Sequence, residues 1–347
     1  LCYKKLSMSK KNSNVILKNG FKDYEELSHI YYSFKKKLNS FKKKTFLIAV
    51  SGGPDSLALT ALAKAYSYEN KSKFFYVLVD HNLRKNSSRE AYLVKKLLKR
   101  HEITLHIIKN KKIIKKNIQS EARKVRYNLL ASFCKKKKIN AILTAHNLED
   151  QVETFFIRLS RGSGLDGLSS MKKINKIQSS IKLVRPLLDF KKIKLIKISK
   201  VIFGKYYKDP TNENIKYLRT RIRNLKTTLE TSGINYDQVI RSIKNLASSR
   251  DTLDQYFKKI YKSIVRKKNN AIVIDLKIFK KINQEMKMRV FKKAIKDSSK
   301  AYYSTRSKKI FNLIDQIRAK KNAKLTLGGC IISREKNHIN LKKEIKN

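Results

Sequence analysis

The feature that most constrains this chain is Ser51-Gly52-Gly53-Pro54-Asp55-Ser56, set between the apolar run Phe46-Leu47-Ile48-Ala49-Val50 and the helix-forming run Leu57-Ala58-Leu59-Thr60-Ala61-Leu62-Ala63. An apolar β-type run, two glycines and a helix start describe a strand, a phosphate-sized loop and a helix N-terminus. Glycine reaches backbone conformations closed to other residues, so consecutive N–H groups can converge where the helix dipole adds partial positive charge. An ordinary βα turn would use the same residues, with Pro54 at the first helical position. Asp55 argues for more than a turn, because a carboxylate beside bound phosphate is favourable only when a cation such as Mg²⁺ joins them.

The pattern that follows is repetitive. Strands are predicted at 46–50, 74–80, 103–108 and 141–145, and helices at 54–68, 88–100, 119–137 and 147–160. Repeated βα units imply an α/β fold, a parallel sheet with helices on both faces, in which ligands bind at the carboxyl ends of the strands. Three motifs, Ser51 to Ser56, Asp80 to Arg84 and His146 to Asp150, each begin where a predicted strand stops. This nucleotide-binding domain is expected over 41–225, preceded at 1–40 by a loosely held basic arm with one helix near 24–38. After 225, Val239, Ile243, Leu246, Leu253, Phe257, Ile260 and Ile264 recur near helical spacing and predict a mainly helical module over 226–300 with a lysine-rich exterior. A small α/β tail is expected at 301–347, with a helix at 305–319 and short strands around 325–331.

Charge narrows the partners. The 83 basic residues against 26 acidic ones give a formal net charge of +57, a liability without a polyanion. Only 18 of the basic residues are Arg, so compositional drift inflates lysine; drift does not explain why acids are scarce. Nucleic acid is the expected partner. No apolar run reaches membrane-spanning length and the N-terminus lacks a signal-type apolar region, so no membrane and a cytoplasmic location are expected. Cys2, Cys134 and Cys330 are odd in number and form no C-x-x-C, which suggests neither a disulfide framework nor a thiolate metal site.

Several motifs carry chemistry. Asp80-His81-Asn82-Leu83-Arg84 is in reach of a nucleotide bound at the first strand. On the helix around Ser120 to Tyr127, Ala122, Val125, Leu129 and Phe133 make the expected apolar face, leaving Arg123, Arg126 and Tyr127 on another, where two guanidinium forks suit phosphate oxygens. In Thr144 to Thr154, Asn147 and Asp150 could form a capping box. Glu149, Asp150 and Glu153 nevertheless put three carboxylates within five residues of an acid-poor chain, and they need Mg²⁺ or a cationic substrate group. Arg161-Gly162-Ser163-Gly164 is a basic, glycine-rich loop suited to a phosphate or a base. Asp209-Pro210-Thr211-Asn212 begins a turn, followed by Arg219, Arg221 and Arg223 on a predicted helix.

The Ser51 loop resembles that of the PP-loop ATP pyrophosphatase superfamily, which adenylylates a substrate oxygen and releases pyrophosphate; no G-x-x-x-x-G-K-S/T run occurs. In order and spacing across residues 46–225, the whole series resembles the tRNA(Ile)-lysidine synthetases: Ser51 to Ser56, His81-Asn82-Leu83-Arg84, Glu121-Ala122-Arg123 with Arg126-Tyr127, Thr144 to Thr154, Arg161 to Gly164, Arg185-Pro186-Leu187-Leu188, and Asp209 to Asn212 with its arginines. Glu149 departs from the family's usual Asp, and Thr220 interrupts its usual Arg-Asn pair. The chain is also short for the second C-terminal module of larger members.

The resemblance implies ATP and Mg²⁺ as cofactors. Its partners would be a tRNA(Ile) with a CAU anticodon, free L-lysine and a second copy of the chain in a homodimer. ATP would adenylylate the wobble cytidine and the lysine amine would then displace AMP. Ser51, Gly52, Gly53, Pro54, Asp55 and Ser56 would hold ATP, with Asp55 on Mg²⁺. Arg123 would meet the phosphates or the developing charge, and Asp150 and His146 would seat lysine and help remove its proton. Arg84, Arg126, Arg161, Gly162, Arg219 and Arg223 would contact tRNA. A tRNA thiolase and a non-catalytic RNA-binding protein are the alternatives, while a glutamine-dependent amidotransferase lacks room for a glutaminase domain before residue 51.

Overall fold

The βα alternation is present in the computed structural model, which describes residues 10–82, 86–112, 118–178, 181–207, 213–268, 271–299, 305, 307–320 and 323–344. After α1 (Lys10–Lys18) and α2 (Glu25–Asn39) come β1 (Thr45–Val50), α3 (Pro54–Glu69), β2 (Lys73–Asp80), α4 (Ser87–Lys99), β3 (Leu105–Lys109), α5 (Ile118–Lys136), β4 (Ala141–Leu143) and α6 (Leu148–Leu159). A short α7 (Leu165–Leu168) precedes β5 (Ile174–Gln178), β6 (Ile181–Val184), α8 (Lys192–Phe203), α9 (Leu218–Asn224) and α10 (Lys226–Thr231).

The sheet order is β3-β2-β1-β4-β6-β5, parallel throughout except for the antiparallel edge strand β5. Three strands are laid down toward one edge, and the chain then returns to place β4 on the other side of β1. That reversal opens a crevice beyond the carboxyl ends of β1 and β4. Alternation along β1 sends Phe46, Ile48 and Val50 into one core, with α2, α3, α4 and α8, and Leu47 into the other, with α5. Helix α3 is buried almost all round, from Ser56 to Ala63, which its Leu and Ala content permits.

Residues 10–39 differ from the loosely held arm expected of them. Ile16, Leu17, Phe21, Leu27, Ile30, Tyr31, Phe34 and Leu38 are buried in the first core. Their apolar stripe runs between lysines that face outward, so a basic average concealed an amphipathic segment. The face of α5 is also rotated from expectation. Tyr127, Leu130, Ala131 and Cys134 are buried at spacings of three and four, and Val125, Leu129 and Phe133 are only partly covered. Tyr127 therefore belongs to the core, with Arg123 stacked over its ring at 5.1 Å.

The chain divides into units at 1–246 and 247–347, a boundary inside the 29-residue α11 (Tyr236–Ile264). In the first unit, Tyr236, Val239 and Ile243 of α11 pack with Leu148 and Val152 of α6. The second unit contains β7 (Val265–Lys268), β8 (Ala271–Asp275), α12 (Leu276–Lys281), α13 (Gln284–Ser299), α14 (Ser307–Ala319), β9 (Lys324–Leu327), β10 (Cys330–Arg334) and β11 (His338–Lys343). Its strands form one antiparallel sheet, β7-β8-β11-β10-β9, so residues expected as a helical module and a separate tail share a sheet and a core. Gly328 and Gly329 turn the β9–β10 hairpin at φ 63° and 75°, a conformation that favours glycine.

Candidate active site

The crevice is lined on the β1 side by the Ser51 loop. Gly52 has φ 84°, and a Cβ there would lie 2.5 Å from Val94 Cγ2, so both conformation and space require glycine. Gly53 is ordinary backbone whose Cβ would meet nothing closer than 3.8 Å. Ser56 locks the turn: its Oγ donates to Gly53 O at 2.9 Å and accepts from the N–H and the hydroxyl of Ser51, both at 3.1 Å. Tyr207 N–H donates to Gly52 O at 3.0 Å from the far side. No side chain caps α3 and Pro54 brings no N–H, so the remaining N–H groups of the first turn are free to receive an anion.

Asp55 is the unusual group. Its Oδ1 is buried without a hydrogen-bond partner. Burial pushes its carboxyl up to about 6, Asp150 and Glu149 add to the rise, and Lys192 and the Asn147 amide oppose it. An orphaned buried carboxylate oxygen beside an open helix N-terminus is the environment a cation would relieve. Among the described residues no group of three or more His, Cys, Asp or Glu is arranged to hold a metal. The orphaned Asp55 oxygen beside that helix start fits an ion that takes one or two protein carboxylates and completes its shell with phosphate and water, as Mg²⁺ does.

The β4 side is built differently. Asn147 caps α6, its Oδ1 accepting Asp150 N–H at 2.9 Å, and Asp150 Oδ2 accepts Asn147 N–H at 3.1 Å. Glu149 Oε2 accepts Lys192 N–H at the start of α8, 2.9 Å away. Glu153, only 2% exposed, accepts Arg223 Nε–H at Oε1, 2.7 Å away, and has Arg219 Nε 3.3 Å from Oε2 in an ion pair, with no hydrogen bond to that second oxygen. All three members of the acidic cluster thus have structural partners, and Arg219 and Arg223, expected on tRNA, are paired at home. The i, i+4 spacing of those arginines on α9 puts both on one face, while Arg221 is exposed.

His146 sits above this turn with Nδ1 2.9 Å from Thr144 Oγ1. Burial, followed by the guanidinium groups of Arg185, Arg123, Arg219 and Arg126, holds its pKa well below the ordinary value. The imidazole is thereby biased toward its neutral, weakly basic form. His81 is held neutral by the same means, its pKa lowered to about 4 by burial and Arg126, whose Nε lies 3.3 Å from its Nε2. Arg123 and Arg126 are exposed; both act on His146, and Arg126 acts on His81 as well.

Arg161 and Gly162 lie in an exposed loop with Gly162 at φ 62°. That loop is held closed by Arg158, whose Nη1 donates to Gly167 O at 2.6 Å and Ser170 O at 2.9 Å. Arg84, Cys2 and the Asp209-Pro210-Thr211-Asn212 turn lie outside the described residues. Sequence reasoning missed Lys192, which shares the Asp55 field and whose N–H binds Glu149; its place in a lysine-rich helix start gave no signal. It also gave Arg185 no role, though among charged groups this buried arginine has the largest effect on His146, and its Nη1 donates to Lys172 O at 2.8 Å.

Residues 26–228 match the PP-loop domain family. The chain is 33% identical over 299 residues to a tRNA(Ile)-lysidine synthase of Wolbachia pipientis wMel, covering 85% of this chain and 69% of that protein. It is 30% identical over 317 residues to a tRNA(Ile)-lysidine synthase of Rickettsia typhi, covering 90% and 73%. The chain spans about two thirds to three quarters of the length of such relatives. Among solved structures, a U34-tRNA thiolase of Methanococcus maripaludis with its 4Fe-4S cluster shares the fold, with TM-score 0.54 and 18% identity over 64% of this chain and 80% of that one. Cys134 is buried in the core with its thiol pushed up to about 12, and Cys330 is buried in the second unit, so neither is placed for thiol chemistry.

Proposed function

Because the chain belongs to the PP-loop tRNA(Ile)-lysidine synthase family, we propose that it joins free L-lysine to carbon 2 of the wobble cytidine of a CAU-anticodon tRNA(Ile). The cytidine O2 attacks the α-phosphorus of ATP and pyrophosphate leaves. The lysine ε-amine then attacks carbon 2, losing a proton, and the bond from carbon 2 to the adenylylated oxygen breaks to release AMP and lysidine-bearing tRNA. The observation that carries the reading is the orphaned Asp55 oxygen beside the uncapped start of α3, a site for a phosphate chain and its cation.

The loop formed by Ser51 to Ser56 cradles the phosphates with backbone N–H groups. Asp55 would hold Mg²⁺, which would supply positive charge for the departing pyrophosphate. Arg123 and Arg126 contact phosphate or the charge that develops during adenylylation. Asp150 keeps Oδ2 in its cap and offers its other oxygen to the lysine ammonium, while neutral His146, oriented by Thr144, presents a hydrogen-bonding edge without adding charge. Arg84, Arg161 and Gly162 serve the tRNA, and Arg219 and Arg223 support it through Glu153. No described helix is long and apolar enough to cross a membrane, and the reaction belongs in the cytoplasm, as a monomer or a homodimer.

Mass analysis of the wobble nucleoside after incubation with CAU tRNA, ATP and lysine tests this. Lysidine, with one AMP and one pyrophosphate per product, is expected. Pyrophosphate release without a lysine adduct would remove the second half of the reading, and a sulfur adduct in the presence of a sulfur donor would replace it.

A further inference from the structure

We infer that Lys37, in the last turn of α2, is a positioning residue for the lysine-dependent step: it fixes the segment 186–192 on which the start of α6 is seated. Its Nζ donates to Pro186 O at 2.7 Å and to Asp189 Oδ2 at 3.0 Å, and lies 5.5 Å from the centre of the Phe190 ring. His29, also on α2, meets that ring edge-on with centroids 6.1 Å apart. Pro186, Leu187, Leu188 and Phe190 are buried, so the segment is packed as well as bonded. The ammonium of Lys173 reaches the same carboxylate at 2.9 Å, but from an exposed position and, among the described residues, without a backbone contact. Lys37 is therefore the cation that grips the main chain.

The other side of the segment holds α6. Phe190 O accepts Leu148 N–H at 3.0 Å, satisfying one of the donors that a helix start leaves open, and Lys192 N–H donates to Glu149 Oε2 at 2.9 Å. Leu148 and Glu149 lie between Asn147 and Asp150, whose reciprocal cap sets where the second Asp150 oxygen sits. A shift of Phe190 moves that cap, and a displacement of about 1 Å from a distant change can cost a reaction roughly a hundredfold. The Ser51 loop follows β1 and is locked by Ser56, so adenylylation should feel the change less. The inference rests on the reading of Asp150 as the seat of the lysine ammonium.

The test compares Lys37→Met, which keeps the apolar stem, with Lys36→Met and Lys173→Met, which remove the same charge from exposed positions, all in the full chain. Without substrates, amide hydrogen exchange in Lys37→Met should speed up roughly tenfold at Leu148 while amides of β1 keep their rates. With tRNA and ATP, its lysine KM should rise roughly three- to tenfold and its adenylylation rate stay within about twofold. Lys37→Arg, whose fork can meet a carbonyl and a carboxylate together, should recover most of both changes, and the two controls should match the wild type. Unchanged Leu148 protection in Lys37→Met would overturn the inference, as would an equal effect in Lys173→Met. A role in stability alone predicts faster exchange at Leu148 and in β1 alike with an unchanged lysine KM, and that result would overturn it too. Absence of lysidine in the wild type, with Leu148 opened to exchange in Lys37→Met only, would count against the activity and leave the tie between α2 and α6 standing.

Discussion

The Ser51 turn and the His146 turn sit at the ends of adjacent strands, and each starts a helix at the same crevice, yet they dispose of charge in opposite ways. On the β4 side Glu149, Asp150 and Glu153 are bonded to a helix start, a cap and two arginines. On the β1 side one carboxylate, Asp55, has an oxygen bonded to nothing. The conspicuous acidic cluster is largely architecture: Glu153 Oε2 also lacks a hydrogen bond but lies 3.3 Å from Arg219 Nε, whereas the orphaned Asp55 oxygen sits in the repulsive field of Asp150 and Glu149. Number of carboxylates is thus a poor guide to chemistry, and their partners are a good one.

The largest expected effect follows from that contrast. Asp55→Asn should cut pyrophosphate release about a hundredfold or more, because the amide keeps the shape and loses the charge that holds Mg²⁺. Release at the wild-type rate would sink the role. The same variant makes a thermodynamic prediction of known sign. A carboxyl raised to about 6 in the folded state favours folding most when protonated, and that contribution is lost as pH rises through about 6. Without nucleotide or metal, Asp55→Asn should therefore melt above the wild type at pH 7, with the gap closing as pH falls from 6 toward 4. A gap independent of pH would mean that the group is not buried unpaired.

Next in size is the loop backbone. Gly52→Ala meets both a positive φ and Val94, strain of about 1 to 3 kcal/mol, and should lower kcat/KM for ATP roughly ten- to a hundredfold. Gly53→Ala, with no close neighbour, should stay within about threefold of wild type. Equal losses at the two positions would show that backbone freedom at Gly52 is not what the loop requires.

These positions were legible in the sequence because their constraint is local: two glycines, a proline and an acid between a strand and a helix. What was not legible is set by partners far along the chain. Glu149 finds Lys192, and Glu153 finds Arg219 and Arg223, across gaps that no local pattern encodes. The face of α5 failed for another reason. Both Ala122-Val125-Leu129 and Tyr127-Leu130-Cys134 fit a helical period, and only the sheet decides between them. β5 escaped because Ile174-Asn175-Lys176-Ile177-Gln178 has only two apolar residues, three apart, and β11 because His338 to Lys343 interleaves Ile339 and Leu341 with asparagine and lysine in a chain where both are background.

Asp150 sharpens the comparison from within the acidic turn, because it has one oxygen in the cap and another to spare. Asp150→Asn should weaken lysine use by roughly ten- to a hundredfold, the range for a charge-assisted contact of about 1.5 to 3 kcal/mol, while adenylylated tRNA accumulates. High lysine should partly rescue it. Quench-flow with labelled ATP separates the steps. If both steps and the lysine KM are unchanged, Asp150 is a cap and nothing more.

Glu149 carries the smallest prediction and the cleanest test of the claim that its charge is structural. Its Oε2 accepts Lys192 N–H, where α8 starts with no other side-chain cap, and a carboxylate there also meets the positive end of the helix dipole. Glu149→Gln keeps an acceptor oxygen and loses the charge, so it should cost about 0.5 to 1 kcal/mol, a shift of a few degrees in Tm at most. Glu149→Ala loses both and should cost about 1 to 2 kcal/mol. Pyrophosphate release and lysine KM should hold in the Gln variant, because Asp55 meets Glu149 only as a secondary, repulsive neighbour. A Gln variant that folds normally and loses adenylylation would overturn the division drawn here, placing Glu149 with Asp55 on the metal side of the crevice.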